Sequence, residues 1–329
     1  MQESAHLQQE FVGDMIALLA DVGGTKTQLA LMNQAGELIA ESLVVNADYD
    51  CFETVIEQFL RQQPPPTAAV LAVAGPVDNA IRCQMTNLNW LIDGEHLQRH
   101  YNLSRVTVLN DLQATAWGLT SPALRARLEM LRGESLNFHQ PVVVISPGTG
   151  LGQACIIPHQ GTFIIQGTEG GHKTFAPFSR QSAELLHRHW QQHDYAPSWE
   201  NWFSGSGFGR LYESLFPGES APDNDTLGSS ALADPSGKAA QCMQLFTQAV
   251  YAEAGNLALQ YLAWGGIIVA GGIPPKLGDF FRQQEHIHFI DKKNEYIDRL
   301  RAIPVALSHA QDVPIKGAAE FCKQHLRSD

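Results

Sequence analysis

The feature that most constrains this chain is a pattern used twice. An apolar run, a glycine turn and a second apolar run occur at residues 18–32 (LLADVGGTKTQLALM) and again at residues 143–157 (VVISPGTGLGQACII). Short apolar runs bounded by Gly, Pro and Asp read as buried strands joined by tight turns. The two segments share a pattern more than residues. They predict two related halves, each opening on a glycine-tipped hairpin, facing each other across a cleft.

The surrounding sequence supports an α/β chain. Met15–Ala20, Gln28–Met32 and Glu37–Val45 read as strands, with a turn at Asn33–Gly36. Cys51–Arg61 has helical spacing (Phe52, Val55, Ile56, Phe59, Leu60) and stops before three prolines. Ala68–Ala74 is a strand, Asp93–Tyr101 a capped helix, Arg105–Leu109 a strand ending at Asn110-Asp111, and Leu112–Leu119 another helix. In the second half Val142–Ser146 and Gln153–Ile157 read as strands. Glu213–Gly237, rich in Ser, Pro, Asp and Gly, reads as a surface excursion. Lys238–Trp264 carries a helical apolar stripe, which reads as core and leads into the strand Gly266–Ala270. A last helix covers Ile315–Leu326. Strands alternating with helices along one chain are the mark of α/β architecture.

Composition limits the partners. The 329 residues include 34 acidic and 22 basic side chains, a formal charge of -12. That balance argues against non-specific binding to nucleic acid or anionic lipid, both of which need a field of Lys and Arg. The longest apolar run, Tyr261–Ile273, is too short for the roughly 20 residues of a membrane span and contains four glycines. Five scattered cysteines form no CxxC pair. The first 25 residues lack Lys and Arg, so no basic signal-peptide segment is read there. The expectation is a reduced cytoplasmic protein that binds neither membrane nor nucleic acid.

Several groups could carry chemistry. In Asp21-Val-Gly-Gly-Thr25 the glycines allow backbone amides to approach a polyphosphate, and the aspartate can hold magnesium through water; a plain hairpin turn is the equal alternative. Gly148-Thr149-Gly150-Leu151-Gly152 precedes a strand rather than a helix, which argues against a dinucleotide fingerprint and for a second phosphate-facing turn. Gly167–Thr174 (GTEGGHKT) has His172 where a P-loop needs glycine. Asn110-Asp111 stands at the carboxyl end of a strand, where open α/β sheets place ligands. An aspartate there could accept the proton of an attacking hydroxyl, and either residue could cap the following helix. Glu169, His172 and Glu200 lie beside glycine turns and form the kind of group that grips a polyol, since each carboxylate accepts hydroxyl hydrogen bonds; the alternative is an exposed acid beside a helix start at Glu200 and a satisfied turn histidine at His172. His187, His189 and His193 lack the glutamate and third ligand of a metal motif, so a solvated helix face is expected.

With these motifs in order, the chain resembles the bacterial ATP-dependent glucokinase family, within the actin and hexokinase-like superfamily. The residues carrying the resemblance are ADVGGT (20–25), AVAGPV (72–77), MTNLNW (85–90), LNDLQATAWG (109–118), PGTGLG (147–152), EGGHKTFAP (169–177), SGSG (204–207) and VAGGI (269–273). The CxCGxxGCxE segment of the zinc-containing repressor-and-kinase group is absent from the sequence. The resemblance implies that Asp111 takes the proton of the sugar 6-hydroxyl, while Asn110, Glu169, His172 and Glu200 hold other hydroxyls. It places Asp21 and the amides of Gly23, Gly24 and Thr25 toward Mg2+ and the ATP phosphates, Thr149 and Gly150 opposite them, and Gly271-Gly272 beside the adenosine. It also implies a homodimer.

Two departures stand out. The first motif usually continues GGTNxR but here reads Gly-Gly-Thr25-Lys26-Thr27, and the usual GGHxDF is Gly-Gly-His172-Lys173-Thr174-Phe175. The implied architecture is a two-domain, ribonuclease H-like α/β fold of the actin/hexokinase type, with sugar in the interdomain cleft. Residues 1–110 plus 309–329 would form the small domain and 111–308 the large one. The implied activity is transfer of the ATP gamma-phosphoryl group to glucose. The alternatives are a kinase for mannose, fructose or glucosamine, an acid-sugar or acetate-type kinase, and an inactive sugar-sensing regulator.

Overall fold

The computed structural model describes residues 15–85, 88–310 and 312–325. Thr86 and Asn87 of the MTNLNW motif, and Leu326 at the end of the expected last helix, lie outside the described residues. The chain divides into two compact units, one made of the described residues up to Pro122 and from Asp312 onward, the other running from Ala123 to residue 310.

The first unit is built on a sheet of β1 (Ala17–Val22), β2 (Lys26–Met32), β3 (Leu38–Val45), β4 (Ala68–Val73) and β8 (Arg105–Asn110), in the order β3-β2-β1-β4-β8. Between β4 and β8 the chain makes a small sheet of β5 (Val77–Asp78), β6 (Arg82–Gln84) and β7 (Leu91–Asp93). β4 reads AAVLAV with every residue buried, as a central parallel strand covered on both faces must. Helix α1 (Phe52–Leu60) buries Phe52, Val55 and Ile56, the apolar face expected from its spacing. Helix α2 (Gly94–His100) starts where Asp93 accepts from the His96 amide at 3.0 Å.

Helix α3 (Asp111–Leu119) follows β8 without a loop and packs against the C-terminal helix Val313–His325. Glycines permit that crossing. A Cβ on Gly317 would stand 1.6 Å from the Ala114 carbonyl oxygen, and one on Gly118 would stand 2.7 Å from that of Val313. This packing is why residues 111–122 group with the first unit. The division expected from the sequence, after Asn110 and before His309, differs from this one by α3 with the short segment after it and by the few residues before Asp312. The next helix, α4 (Pro122–Arg125), contains the division.

The second unit repeats the plan. Its sheet holds β9 (Glu129–Arg132), β10 (Val142–Pro147), β11 (Leu151–His159), β12 (Thr162–Thr168), β13 (Gly266–Val269) and β14 (Val305–Leu307), in the order β12-β11-β10-β13-β14-β9. In each unit a hairpin strand pairs antiparallel with its successor (β1 with β2, β10 with β11). The same strand pairs parallel with a later one (β1 with β4, β10 with β13). The doubled hairpin in the sequence is therefore a doubled sheet topology.

Helices α5 (Arg180–Trp190), α6 (Trp199–Trp202), α7 (Phe208–Leu215), α8 (Asn224–Ala233) and α9 (Lys238–Tyr261) complete the part of this unit that frames the site. The α9 stripe is core, as expected, with Met243, Phe246, Val250, Ala254 and Leu257 all buried. The segment Glu213–Gly237 does lie at the surface, with only Leu227 and Ala231 buried, but it is not all loop. It contains α8, capped by Asp223 and packed on α9 through Leu227 and Ala231. Two apolar residues four apart suffice to bury one side of a short helix, and the surrounding Ser, Asp and Gly hide them from a compositional reading.

Candidate functional site

In the first unit the candidate residues gather at the carboxyl end of the sheet. Asp21 lies within β1, opposite Ala72 of β4 and Gln28 of β2, rather than in the turn that follows. Burial, with the charge of Asp111 second, pushes its carboxyl up to about 6. The turn after β1 is held from within. The Gly23 amide donates to the Lys26 carbonyl (3.0 Å), Asn46 Nδ2 donates to the Gly23 carbonyl (2.9 Å), and Thr27 Oγ1 donates to Asn46 Oδ1 (2.7 Å). Asn46 was missed in the sequence reading. It is almost fully buried and acts on the turn from 23 residues away, and no local motif reports that.

Asn110 and Asp111 divide the two roles open to them. Asn110 is the cap of α3: its Oδ1 accepts from the Leu112 amide (2.9 Å), and its own amide donates to Gln113 Oε1 (3.2 Å). Its Nδ2 donates to the Gly75 carbonyl at 3.1 Å, tying the cap to the AVAGPV motif. Asp111 is then the first helical residue, with Oδ1 accepting from the Leu112 amide at 2.8 Å. A carboxylate at a helix N-terminus is favoured as the anion by the helix field.

In the second unit Glu169, His172 and Glu200 come together. His172 Nε2 lies 3.9 Å from Glu169 Oε2 and 3.8 Å from Glu200 Oε1. Glu200 is carried by α6, whose cap Ser198 accepts from the Asn201 amide, and its Oε2 accepts from the Leu151 amide at 2.8 Å. The side chain of Glu200 is 27% exposed, against 71% for Glu169, so Glu200 is the anchored member of the pair.

The glycine turns hold this arrangement. Gly148 and Thr149 accept, through their carbonyls, the amides of Gly205 (2.8 Å) and Ser206 (3.2 Å), so the PGTGLG and SGSG motifs form one zipped loop pair. Gly271 has φ +93°, and a Cβ there would meet the Pro147 carbonyl oxygen at 2.6 Å. Thr149, Gly150, Gly271 and Gly272 thus share one edge of this unit with Glu200.

A further group lies under the Glu169–His172 turn. Lys173 Nζ pairs with Glu253 Oε1 at 2.7 Å, and the Glu253 side chain is 1% exposed. Gln153 Nε2 (3.0 Å) and Asn256 Nδ2 (2.8 Å) also donate to this carboxylate. The lysine that departs from GGHxDF is therefore paired with a buried acid of α9. The only sequence sign of this partner was one Glu inside an otherwise apolar helical stripe.

Among the described residues no group of three or more His, Cys, Asp or Glu side chains could hold a metal by itself. The His189 and His193 rings lie tilted with centroids 4.4 Å apart, and His189 also packs edge-on to Trp202 at 5.4 Å. Burial, then His193, lowers the His189 pKa; His189 is half-buried, while His187 and His193 are exposed as the expected solvated face requires. Among the described residues no helix is long and apolar enough to cross a membrane.

Comparison with known proteins agrees with these features. The sequence profile of the glucokinase family matches residues 18–325. A glucokinase of Nostoc punctiforme is 31% identical, over 94% of this chain and 99% of that protein. The crystal structure of a glucokinase from an Antarctic psychrotroph superposes with a TM-score of 0.80 at 25% identity, covering 93% of this chain and 98% of that one. The glucokinase of Balamuthia mandrillaris in complex with glucose gives a TM-score of 0.78 at 20% identity, over 95% and 94% of the two chains, and shares the fold. The architecture is the α/β fold of the actin and hexokinase-like kinases, and the chain belongs to the glucokinase family.

Proposed function

We propose that the protein transfers the γ-phosphoryl group of ATP to the 6-hydroxyl of glucose, giving glucose 6-phosphate and ADP. The observation that carries this reading is the gathering of Glu169, His172 and Glu200 on glycine turns in a chain of the glucokinase family. Two carboxylates and an imidazole can accept and donate several hydroxyl hydrogen bonds at once, as a neutral polyol requires. No arginine belongs to the cluster, which favours a neutral sugar over an acidic one.

In this reading Asp111 is the base. A hydroxyl attacks phosphorus poorly until its proton is drawn off, and the Asp111 carboxylate at the start of α3 is placed to accept it in this reading. The new bond joins O6 to the γ-phosphorus while the bond to the β-phosphate oxygen breaks. The rest of the acceleration comes from position and charge, which the glycine turns are suited to supply. Because Gly23 donates within its own turn, Gly24 and Thr25 are the better amides for phosphate, with Thr149 and Gly150 as the second set.

Mg2+ fits the residues present. Asp21 is a buried hard-oxygen donor whose carboxyl is raised by burial and by Asp111, a pairing that a divalent cation would relieve. Such an ion takes one or two protein carboxylates and completes its shell with waters and phosphate oxygens. Its chemistry here would be neutralisation of phosphate charge. Gly271-Gly272 would flank the adenosine and Asn110 would add a hydroxyl contact. The same reading makes the enzyme a cytoplasmic homodimer acting at the entry to glycolysis.

The test is a pair of sugars. Glucose should support ADP release, while 6-deoxyglucose should inhibit competitively and release none. Equal ADP release from both would remove O6 as the acceptor.

A further inference from the structure

A cavity of about 210 Å³ opens in the second unit, on the segment that continues from the Glu169–His172 turn. Its walls include Pro177, Phe178, Phe289, Asn256, Lys292 and Lys293. Its charge is one-sided. The chain carries 12 more acids than bases (34 against 22), yet among the described residues no carboxylate comes within 4.0 Å of either lysine.

The nearby acids are engaged elsewhere. Asp291 is held by Arg132 at 2.7 Å and by His288 at 3.2 Å, and Glu253 by Lys173 at 2.7 Å. Lys293 Nζ donates to the neutral Asn256 Oδ1 at 2.6 Å. Lys292 Nζ stands 3.3 Å from the centroid of the Phe289 ring. Burial lowers the Lys293 pKa, with Glu253 opposing, as expected of an ammonium partly withdrawn from water without a counter-ion.

We infer that this cavity binds a small phosphate-bearing anion. Both lysines line the cavity without a carboxylate partner, and a dianion bound there supplies the missing counter-charge. Lysine binds phosphate as a point charge and does not need the planar fork that arginine offers a carboxylate. The apolar wall of Pro177, Phe178 and Phe289 suits the carbon skeleton of a phosphate monoester. The site is also linked to the sugar grip, because Lys293, Asn256, Glu253 and Lys173 form a relay with steps of 2.6, 2.8 and 2.7 Å, and Lys173 directly follows His172.

The test is calorimetric titration of the full-length protein with inorganic phosphate and, separately, glycerol 3-phosphate, at ionic strength fixed with chloride. Both should bind saturably. Lys292→Met and Lys293→Met should each weaken binding at least about fivefold, since each removes one of the two lysine charges lining the cavity, while Lys292→Arg should bind nearly as the parent does. Tighter binding of glycerol 3-phosphate identifies a monoester, and equal binding identifies phosphate itself; both support the site. Lys293→Met alters a part-buried position, so its melting temperature is compared with the parent, and exposed Lys292 decides the matter if it unfolds. Absence of saturable binding overturns the assignment. So does binding that Lys292→Met leaves unchanged, which would place the phosphate at the glycine turns.

Discussion

Asp21 is the one partly exposed residue of β1 and Asp111 opens α3 two strands away, and burial together with the charge of Asp111 holds the Asp21 carboxyl at about 6. The fold thus keeps two acids at one end of a sheet although the charge of Asp111 makes Asp21 harder to ionise. Such an arrangement suits a site that receives a cation and polyphosphate more than it suits a resting protein.

The first prediction follows from the sign of that shift. The folded state binds the Asp21 proton more tightly than the unfolded chain does, so the carboxyl favours folding in acid. That advantage is lost as pH rises from the ordinary carboxyl value of 3.8 through about 6. At neutral pH the charge is a net cost on the order of 1–3 kcal/mol. Asp21→Asn should therefore be more stable than the parent to urea at pH 7.5, with the difference vanishing near pH 4, while turnover falls. A variant less stable than the parent at pH 7.5 would contradict the burial argument.

Gly150 offers a test of the sugar grip. A Cβ at this position would lie 2.5 Å from Glu200 Oε2 and 3.2 Å from its carboxyl carbon. The flexible carboxylate, not the backbone, has to move, so Gly150→Ala should fold normally while Glu200 loses its Leu151 amide. One charged hydrogen bond displaced is worth about 1.5–3 kcal/mol, so KM for glucose should rise roughly tenfold or more, with a smaller effect on kcat. Steady-state kinetics check this, and an unchanged KM would detach Glu200 from the sugar.

Lys173→Met should leave Glu253 buried without its cation. Removing one partner of a fully buried pair costs about 3–5 kcal/mol. Here the lysine is 40% exposed, water can reach the carboxylate, and about 1–3 kcal/mol is expected. Adding Glu253→Gln should recover part of the loss, because an uncharged amide tolerates the site better than an unpaired carboxylate. Urea unfolding of the two variants reads the difference. A double variant weaker than Lys173→Met would show that Glu253 is held by Gln153 and Asn256 instead.

The legible parts of this chain were those whose physics is local. Glycine turns between apolar runs announce hairpins, and an Asn-Asp pair after a strand announces both a cap and a site; the structure gives the cap to Asn110 and leaves Asp111 beside Asp21. Features acting through space were not legible. Asn46 steadies the first turn from the far end of β3, and Glu253 meets Lys173 from the middle of α9. Helix α8 was hidden for a third reason, since two buried residues sufficed and its composition otherwise matches a loop. The departures from the family motif were visible in the sequence, but the structural role of Lys173 was not.

The central claim is that glucose is phosphorylated with Asp111 as the base. The direct measurement is coupled ADP release with Mg-ATP over a panel of hexoses, glucose first, for the parent and for Asp111→Asn. The account predicts rapid glucose-dependent turnover that falls at least about a hundredfold in the variant, as loss of a general base does, with glucose binding retained. Turnover in Asp111→Asn close to the parent's would remove Asp111 from the base role, and a folded parent that binds ATP but turns over no hexose would contradict the activity itself.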